Sequence, residues 1–181
     1  MRSLVLAVIL LTTACTGSDS TTTTETTHPI GGTMQISSPA FDGTMPSRFT
    51  CDGFDVSPPL SISDVPSGAA SLVLLVDDPD APDPAAPTMV WDHWVVWGID
   101  PEVRDIAEGS VPEGGVQGRN SWGRNDYGGP CPPVGTHRYF FKLYALDIDL
   151  DMPTNSTKSA VEMAMQGYII DQAEVIGTYH R

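Results

Sequence analysis

The chain has 181 residues, 40% of them hydrophobic, which is enough for one domain with a core and too little for two. It carries 23 acidic side chains against 9 basic ones, a formal net charge of -14. That sign excludes a nucleic-acid binder and a broad electrostatic membrane footprint; it reads first as solubility and leaves room for one local anion pocket.

At the start of the chain, Arg2 precedes the apolar run Leu4 to Leu11 and the small residues Thr12, Thr13 and Ala14. A basic start, a short apolar centre and small residues before a cut site predict a secretory signal over 1–14. The run is too short to span a bilayer as a helix. Cys15 follows Ala14 as in a bacterial lipoprotein signal, where the cysteine takes lipid and becomes the mature N-terminus. Thr12 stands where that signal usually has an aliphatic residue, and ordinary cleavage nearby is the alternative. Residues 16–32, TGSDSTTTTETTHPIGG, have almost no apolar content and predict a Thr-rich flexible tether. His28 has no other His or Cys near it and is not read as a metal site. Together these features predict an exported lipoprotein, anchored to the cell membrane and facing its extracytoplasmic side.

The folded domain is predicted over 33–181, as short apolar stretches broken by Gly and Pro. Met34 to Ser37 with Phe41 suggest an opening strand and turn. Ser71 to Val76, SLVLLV, is a buried strand, and Met89 to Ile99, MVWDHWVVWGI, is another rich in β-formers. Tyr139 to Leu146 is a third. Ser156 to Gly167 is the one helical stretch, with Val161, Ala164 and Met165 on one side, Ser156 or Thr157 as cap and Gly167 as stop. Ile169 to Thr178 alternates loosely and closes the domain as a last strand. The sum is a mainly β domain with a late helix.

Three loops gather polar residues. Asp77-Asp78-Pro79-Asp80-Ala81-Pro82 follows the buried strand; it is either an acidic solvated turn or a stiff loop whose carboxylates meet a ligand, and one X-Pro bond is a candidate for cis. His93 lies in an aromatic strand. Strict alternation puts Trp91, His93 and Val95 on one face and Trp94, Val96 and Gly98 on the other. That histidine reads equally as a satisfied core residue or as a pocket floor. Gly128 to Tyr139, GGPCPPVGTHRY, feeds a strand in which His137 and Tyr139 share a face opposite Arg138, and its glycines permit close approach of backbone N–H groups to an anion. Asp78, Asp80, His93, His137 and Tyr139 together suggest a small polar pocket.

The blocks DDPDAP, HWVVW and GPCPPVGTHRYFFKLYAL, with CDGFDVSPPL at Cys51 to Leu60, resemble in order and spacing the signature blocks of the phosphatidylethanolamine-binding (Raf kinase inhibitor-like) family. The likeness runs from about Met34 to Tyr179. It implies a large central antiparallel sheet packed with a smaller one, few peripheral helices, and an anion pocket at Asp78, Asp80, His93, Pro130, His137 and Tyr139. The implied function is non-catalytic binding of a small phosphate- or carboxylate-bearing ligand, with inhibition of an extracytoplasmic protease or another envelope protein as the alternative. Two stretches depart from the pattern. Gly118-Arg119-Asn120-Ser121-Trp122-Gly123 has Ser121 and Trp122 where bacterial members commonly carry Asp-Phe, and Gly167-Tyr168 replaces a common Gly-His. Both changes are expected at the pocket rim or its support.

With Cys15 lipidated, Cys51 and Cys131 are an even pair in an oxidising compartment, and a disulfide between them is expected, two buried thiols being the alternative. No Gly-x-Ser-x-Gly, His-Glu-x-x-His or phosphate-loop pattern occurs, so no enzyme, cofactor or metal is expected. Metal-assisted hydrolysis, which would need Asp78, His93 and His137 to converge on one ion, is a minor alternative. If both histidines face an anion, binding should strengthen as pH falls toward the imidazole range.

Overall fold

A computed structural model describes residues 34–181. The expectations for Cys15, His28 and the segments 1–14 and 15–32 lie outside the described residues, as does Thr33. The strands are β1 (Gln35–Ser37), β2 (Gly43–Thr44), β3 (Leu60–Ser63), β4 (Ser71–Asp78), β5 (Trp91–Ile99), β6 (Asp105–Ile106), β7 (Val116–Gln117), β8 (Thr136–Leu146) and β9 (Ile169–His180). Between β8 and β9 lies α1 (Lys158–Ala164), the single α-helix among the described residues.

The sequence SLVLLV is continuous rather than alternating because β4 is buried on both faces, as a central strand must be. It lies in a six-stranded sheet of order β2-β9-β8-β4-β5-β7. On one face, Leu72, Leu74 and Val76 join Trp94, Val96, Phe141 and Leu143. The small sheet β1-β3-β6 closes over them through Ile36, Leu60, Ile62 and Ile106. On the other face, Val73, Leu75, Val95 and Trp97 are covered by Val161 of α1 and by Met165, which caps its C-terminus. The helix begins where Thr157 accepts a hydrogen bond from the Ala160 N–H, and Gly167 follows its end with φ +84°, the left-handed conformation of a helix stop.

The large sheet is mixed, not antiparallel throughout as expected. β2 runs parallel to the end of β9, pairing Gly43 with Gly177 and Thr44 with Thr178. Gly177 permits this approach, since a Cβ there would lie 2.5 Å from Met45 Cγ. The other neighbours in both sheets are antiparallel.

Strict alternation in β5 fails at His93. Val76 pairs with Trp94 and Asp77 with Asp92, so His93 is an extra residue opposite no partner. Such a bulge re-aims its side chain and shifts the residues that follow. Trp91 and His93 stay on one side, as expected, but Val95 falls with Trp97 on the helix face.

Candidate functional site

The cavity with polar groups at its floor lies where β4, β5 and β8 end together, and encloses about 400 Å³. Asp78 ends β4, His93 sits in the β5 bulge and His137 opens β8; all three line it. Pro82, Met89, Trp91 and Trp122 form its walls with Pro132 and Pro133, and Cys131 completes the lining on that side. The Ala81–Pro82 bond is cis.

Adjacent carboxylates divide their work by the strand's alternation. Asp77 faces α1. Asp78 faces the cavity, where its Oδ2 lies 2.7 Å from His137 Nδ1 and its Oδ1 accepts the Asp80 N–H at 2.8 Å. Burial raises the Asp78 carboxyl above the ordinary carboxylate range, against the lowering effect of His137 and the Asp80 N–H. His137 Nε2 lies 3.2 Å from the Val134 carbonyl, so acceptors face both ring nitrogens. Both Asp78 oxygens are thus engaged, one by His137 and one by the Asp80 N–H.

His93 is held by two bonds to one residue. Its Nδ1 lies 2.6 Å from the Gly128 carbonyl, and the Gly128 N–H donates to the His93 carbonyl at 3.0 Å. A carbonyl partner requires the proton on Nδ1, which leaves the Nε2 lone pair for a molecule in the cavity. Burial lowers the imidazole to about 4; the Gly128 bond and the Asp77 charge only partly oppose this, and His137 adds to it. The ring packs edge-on against Tyr139 and against Trp122, each at 5.1 Å. Tyr139 Oη is buried with no partner among the described residues, a rare state for a hydroxyl. Burial and then the Asp78 and Asp80 charges raise its pKa, so it remains a phenol; Tyr139 is not among the residues that line the cavity but packs directly behind the two histidines.

Asp80 and Pro130 support this site from behind. Asp80 accepts the Arg138 backbone N–H at 2.9 Å and both Nε and Nη2 of its guanidinium, at 2.9 and 2.7 Å. The Arg138 bonds hold the Asp80 carboxyl below its ordinary range. The Pro130 carbonyl accepts the Cys51 N–H at 3.1 Å, and Cys51 and Cys131 are bridged, as the even cysteine pair suggests.

The fold has known counterparts. The family model described as phosphatidylethanolamine-binding protein matches residues 35–180. The chain belongs to the phosphatidylethanolamine-binding protein family. A UPF0098 protein of Methanothermobacter thermautotrophicus is 47% identical over 155 residues, covering 82% of this chain and 99% of the relative. The crystal structure of a phosphatidylethanolamine-binding protein homologue from Chlamydia trachomatis superimposes with a TM-score of 0.78 at 44% identity, over 83% of this chain and 99% of that one. The Escherichia coli family member YbcL gives 0.73 at 31% identity, over 82% of this chain and 98% of the other.

Of the two departures from the family pattern, one is at the cavity. Trp122 lines it, and Ser121 exchanges bonds with Asp92 in both directions: its N–H donates to the Asp92 carbonyl at 2.9 Å, and its Oγ accepts the Asp92 N–H at 2.8 Å. Tyr168 does not line it; it precedes β9, whose Ile169 pairs with Leu146 at the far end of β8 from His137. Among the described residues no three His, Cys, Asp or Glu side chains are placed to hold a metal ion, so Asp78, His93 and His137 do not form the triad that hydrolysis would need. The aromatic walls carried no motif of their own; for Trp122 the only signal was its departure from the pattern.

The buried imidazole has a consequence for stability. Unfolded, His93 takes a proton near its ordinary 6.5; folded, near 4. Stability is therefore lost as pH falls from 6.5 to 4, by about 3 kcal/mol. Asp78 acts in the opposite sense, since its raised carboxyl takes its proton earlier in the folded state. Urea unfolding at pH 7.5 and pH 4 should show this loss in the native domain and a shallower one in His93→Gln. Parallel losses would rule His93 out as the source.

Proposed function

We propose that this chain is an exported, non-catalytic binding protein of the Raf kinase inhibitor-like branch, anchored as a lipoprotein, whose cavity takes a small phosphate- or carboxylate-bearing ligand. In this reading residues 1–14 are the signal, Cys15 carries lipid, 16–32 are the tether and 33–181 the binding domain. The Cys51–Cys131 bridge supports export, because such bonds persist in oxidising compartments. No described helix is long and apolar enough to cross a membrane.

The observation that carries the ligand reading is the meeting of His93 and His137 on a floor whose one carboxylate, Asp78, is bonded to His137, with the orphan Tyr139 hydroxyl buried against both rings just behind the lining. A phenol donor and the Nε2 lone pair of His93 suit a protonated phosphate or carboxylic acid, which both accepts and donates. His137 contributes by sharing its long Nε2 bond with the ligand. Asp80 and Pro130 hold the loops. Family membership supports small-molecule binding, and the family's description names a lipid whose headgroup joins phosphate to an amine.

Tyr139→Phe tests this directly. Removing an unpartnered hydroxyl leaves stability unchanged or raises it, whereas a hydrogen bond to an anion is worth about 1.5–3 kcal/mol. Calorimetric titration of residues 31–181 with phosphorylethanolamine and inorganic phosphate should show saturable binding, weakened about tenfold or more in Tyr139→Phe and lost in His137→Ala. Whole relatives consist of this segment alone, so it folds by itself. A well-folded wild type that binds neither compound would move the weight to inhibition of a protein partner. That second reading is supported by exposed Met89, Val90, Trp122 and Val134, apolar residues in the segments flanking the cavity.

A further inference from the structure

We propose that Trp122 is a specificity-determining residue: its ring gives the anion cavity an apolar wall that selects ligands joining a phosphate or carboxylate to a neutral apolar group over the bare anion. This rests on the anion reading above and adds the class of ligand.

A cavity of about 400 Å³ falls in the range of about 300–1,000 Å³ that encloses whole small organic molecules. Its titratable side chains, Asp78, His93 and His137, are confined to the floor, and Trp91 adds one buried indole N–H without a partner among the described residues. A bare anion would satisfy that floor and leave the surfaces of Trp91, Trp122 and Met89 in water. An apolar substituent on the same anion covers them, and apolar area removed from water is the general source of affinity in such sites.

Trp122 is 42% exposed, yet it is fixed as firmly as a core residue. Asn120, only 4% exposed, accepts the Trp122 and Arg124 N–H groups with one oxygen, each at 3.0 Å, and anchors its own amide on the Asp126 carbonyl at 2.9 Å. Ser121 ties the same turn to Asp92 in β5. Gly128 lies so close beneath the indole that a Cβ there would come within 2.4 Å of its ring. The ring stands edge-on to Trp91 at 5.3 Å and to His93 at 5.1 Å, which places it beside the polar floor. Two carbon-rich rings meeting at a polar group, with one held in place while partly wet, form a surface already organised for a partner.

Charge decides what kind of substituent fits. The Arg124 guanidinium already lies 5.7 Å from the Trp122 ring centre. That guanidinium is paired with Asp126 at 3.2 Å and already takes the ring's cation contact, so a second cation gains little there and the wall favours a neutral group, aromatic or aliphatic, over a quaternary amine.

Calorimetry on residues 31–181 tests this with inorganic phosphate, phenyl phosphate and phosphocholine, comparing affinities within each variant. Wild type should bind phenyl phosphate about tenfold or more tighter than inorganic phosphate, and tighter than phosphocholine. In Trp122→Ala the ratio of phenyl phosphate to phosphate affinity should fall to near one; in Trp122→Phe most of it should return. A wild type that binds both phosphates equally, a preference that survives in Trp122→Ala, or a preference for phosphocholine would each overturn the inference while leaving the anion reading intact. Binding of neither phosphate would overturn both.

Discussion

Replacing both Cys51 and Cys131 by alanine should lower the unfolding free energy of the domain by about 4 kcal/mol. The bond closes a loop spanning 80 positions, and the entropy withheld from an unfolded loop of that length corresponds to about that value. For a domain of this size the melting temperature should fall by about 10 °C. Local contacts set where the effect is felt. The Cys51 N–H donates to the Pro130 carbonyl, and the Gly129 N–H donates to Asp55 Oδ1 at 2.7 Å. A Cβ on Gly129 would lie 2.5 Å from the Phe49 carbonyl oxygen, so the two loops are pressed together at the bond. Since Cys131 lines the cavity, ligand affinity should weaken along with stability. Urea unfolding of the wild type and the double variant measures the first effect, and phosphate titration the second. A loss under about 1 kcal/mol would mean that these contacts fix the loops without the bond.

Legibility of this fold tracked how much of the physics was local. SLVLLV announced a strand buried on both faces because burial acts on every residue of it. Thr157 and Gly167 marked the helix ends because capping involves residues within one turn. The short strands Asp105–Ile106 and Val116–Gln117 left no periodic signal, since two residues cannot display one, and Leu60–Ser63 alternates for only four residues; their pairing comes from distant partners. The same divide runs through the site. Asp78, His93 and His137 were picked out by residue type and by likeness to the family blocks, and they do meet at one cavity. What could not be read was the division of labour among Asp77, Asp78 and Asp80. Three carboxylates within four positions face a helix, a cavity and an arginine, because strand alternation and then a turn point each one elsewhere. The bulge at His93 was equally silent, as it exists only relative to β4.

Asp77→Asn should destabilise the domain by about 1–3 kcal/mol, because it removes the shortest of the buried Lys158's carboxylate contacts and the Lys142 pair while Asp92 and Glu162 remain. The Asp77 side chain is almost fully buried, on the face away from the cavity. Lys142 Nζ reaches both its oxygens at 2.9 Å, from the position diagonal to it on β8, and Lys158 Nζ reaches it at 2.7 Å from the first turn of α1. Lys158 is itself buried and also contacts Asp92 at 3.1 Å and Glu162 at 3.8 Å. Burial alone would lower its pKa, but the Asp77 and Asp92 bonds outweigh this and raise it, so the ammonium persists at neutral pH. Neutralising Asp77 therefore leaves the buried cation between α1 and the sheet with Asp92 at 3.1 Å and the more distant Glu162 at 3.8 Å. A double-mutant cycle isolates that cause: if the stranded charge is what costs, adding Lys158→Met to Asp77→Asn should recover part of the loss, with a coupling energy of about 2 kcal/mol or more. Strict additivity of the two substitutions would place the cost in packing of the helix instead. The ligand readout should move less than stability does, because Asp77 supports from behind the strand end whose next residue, Asp78, holds His137 at the cavity floor.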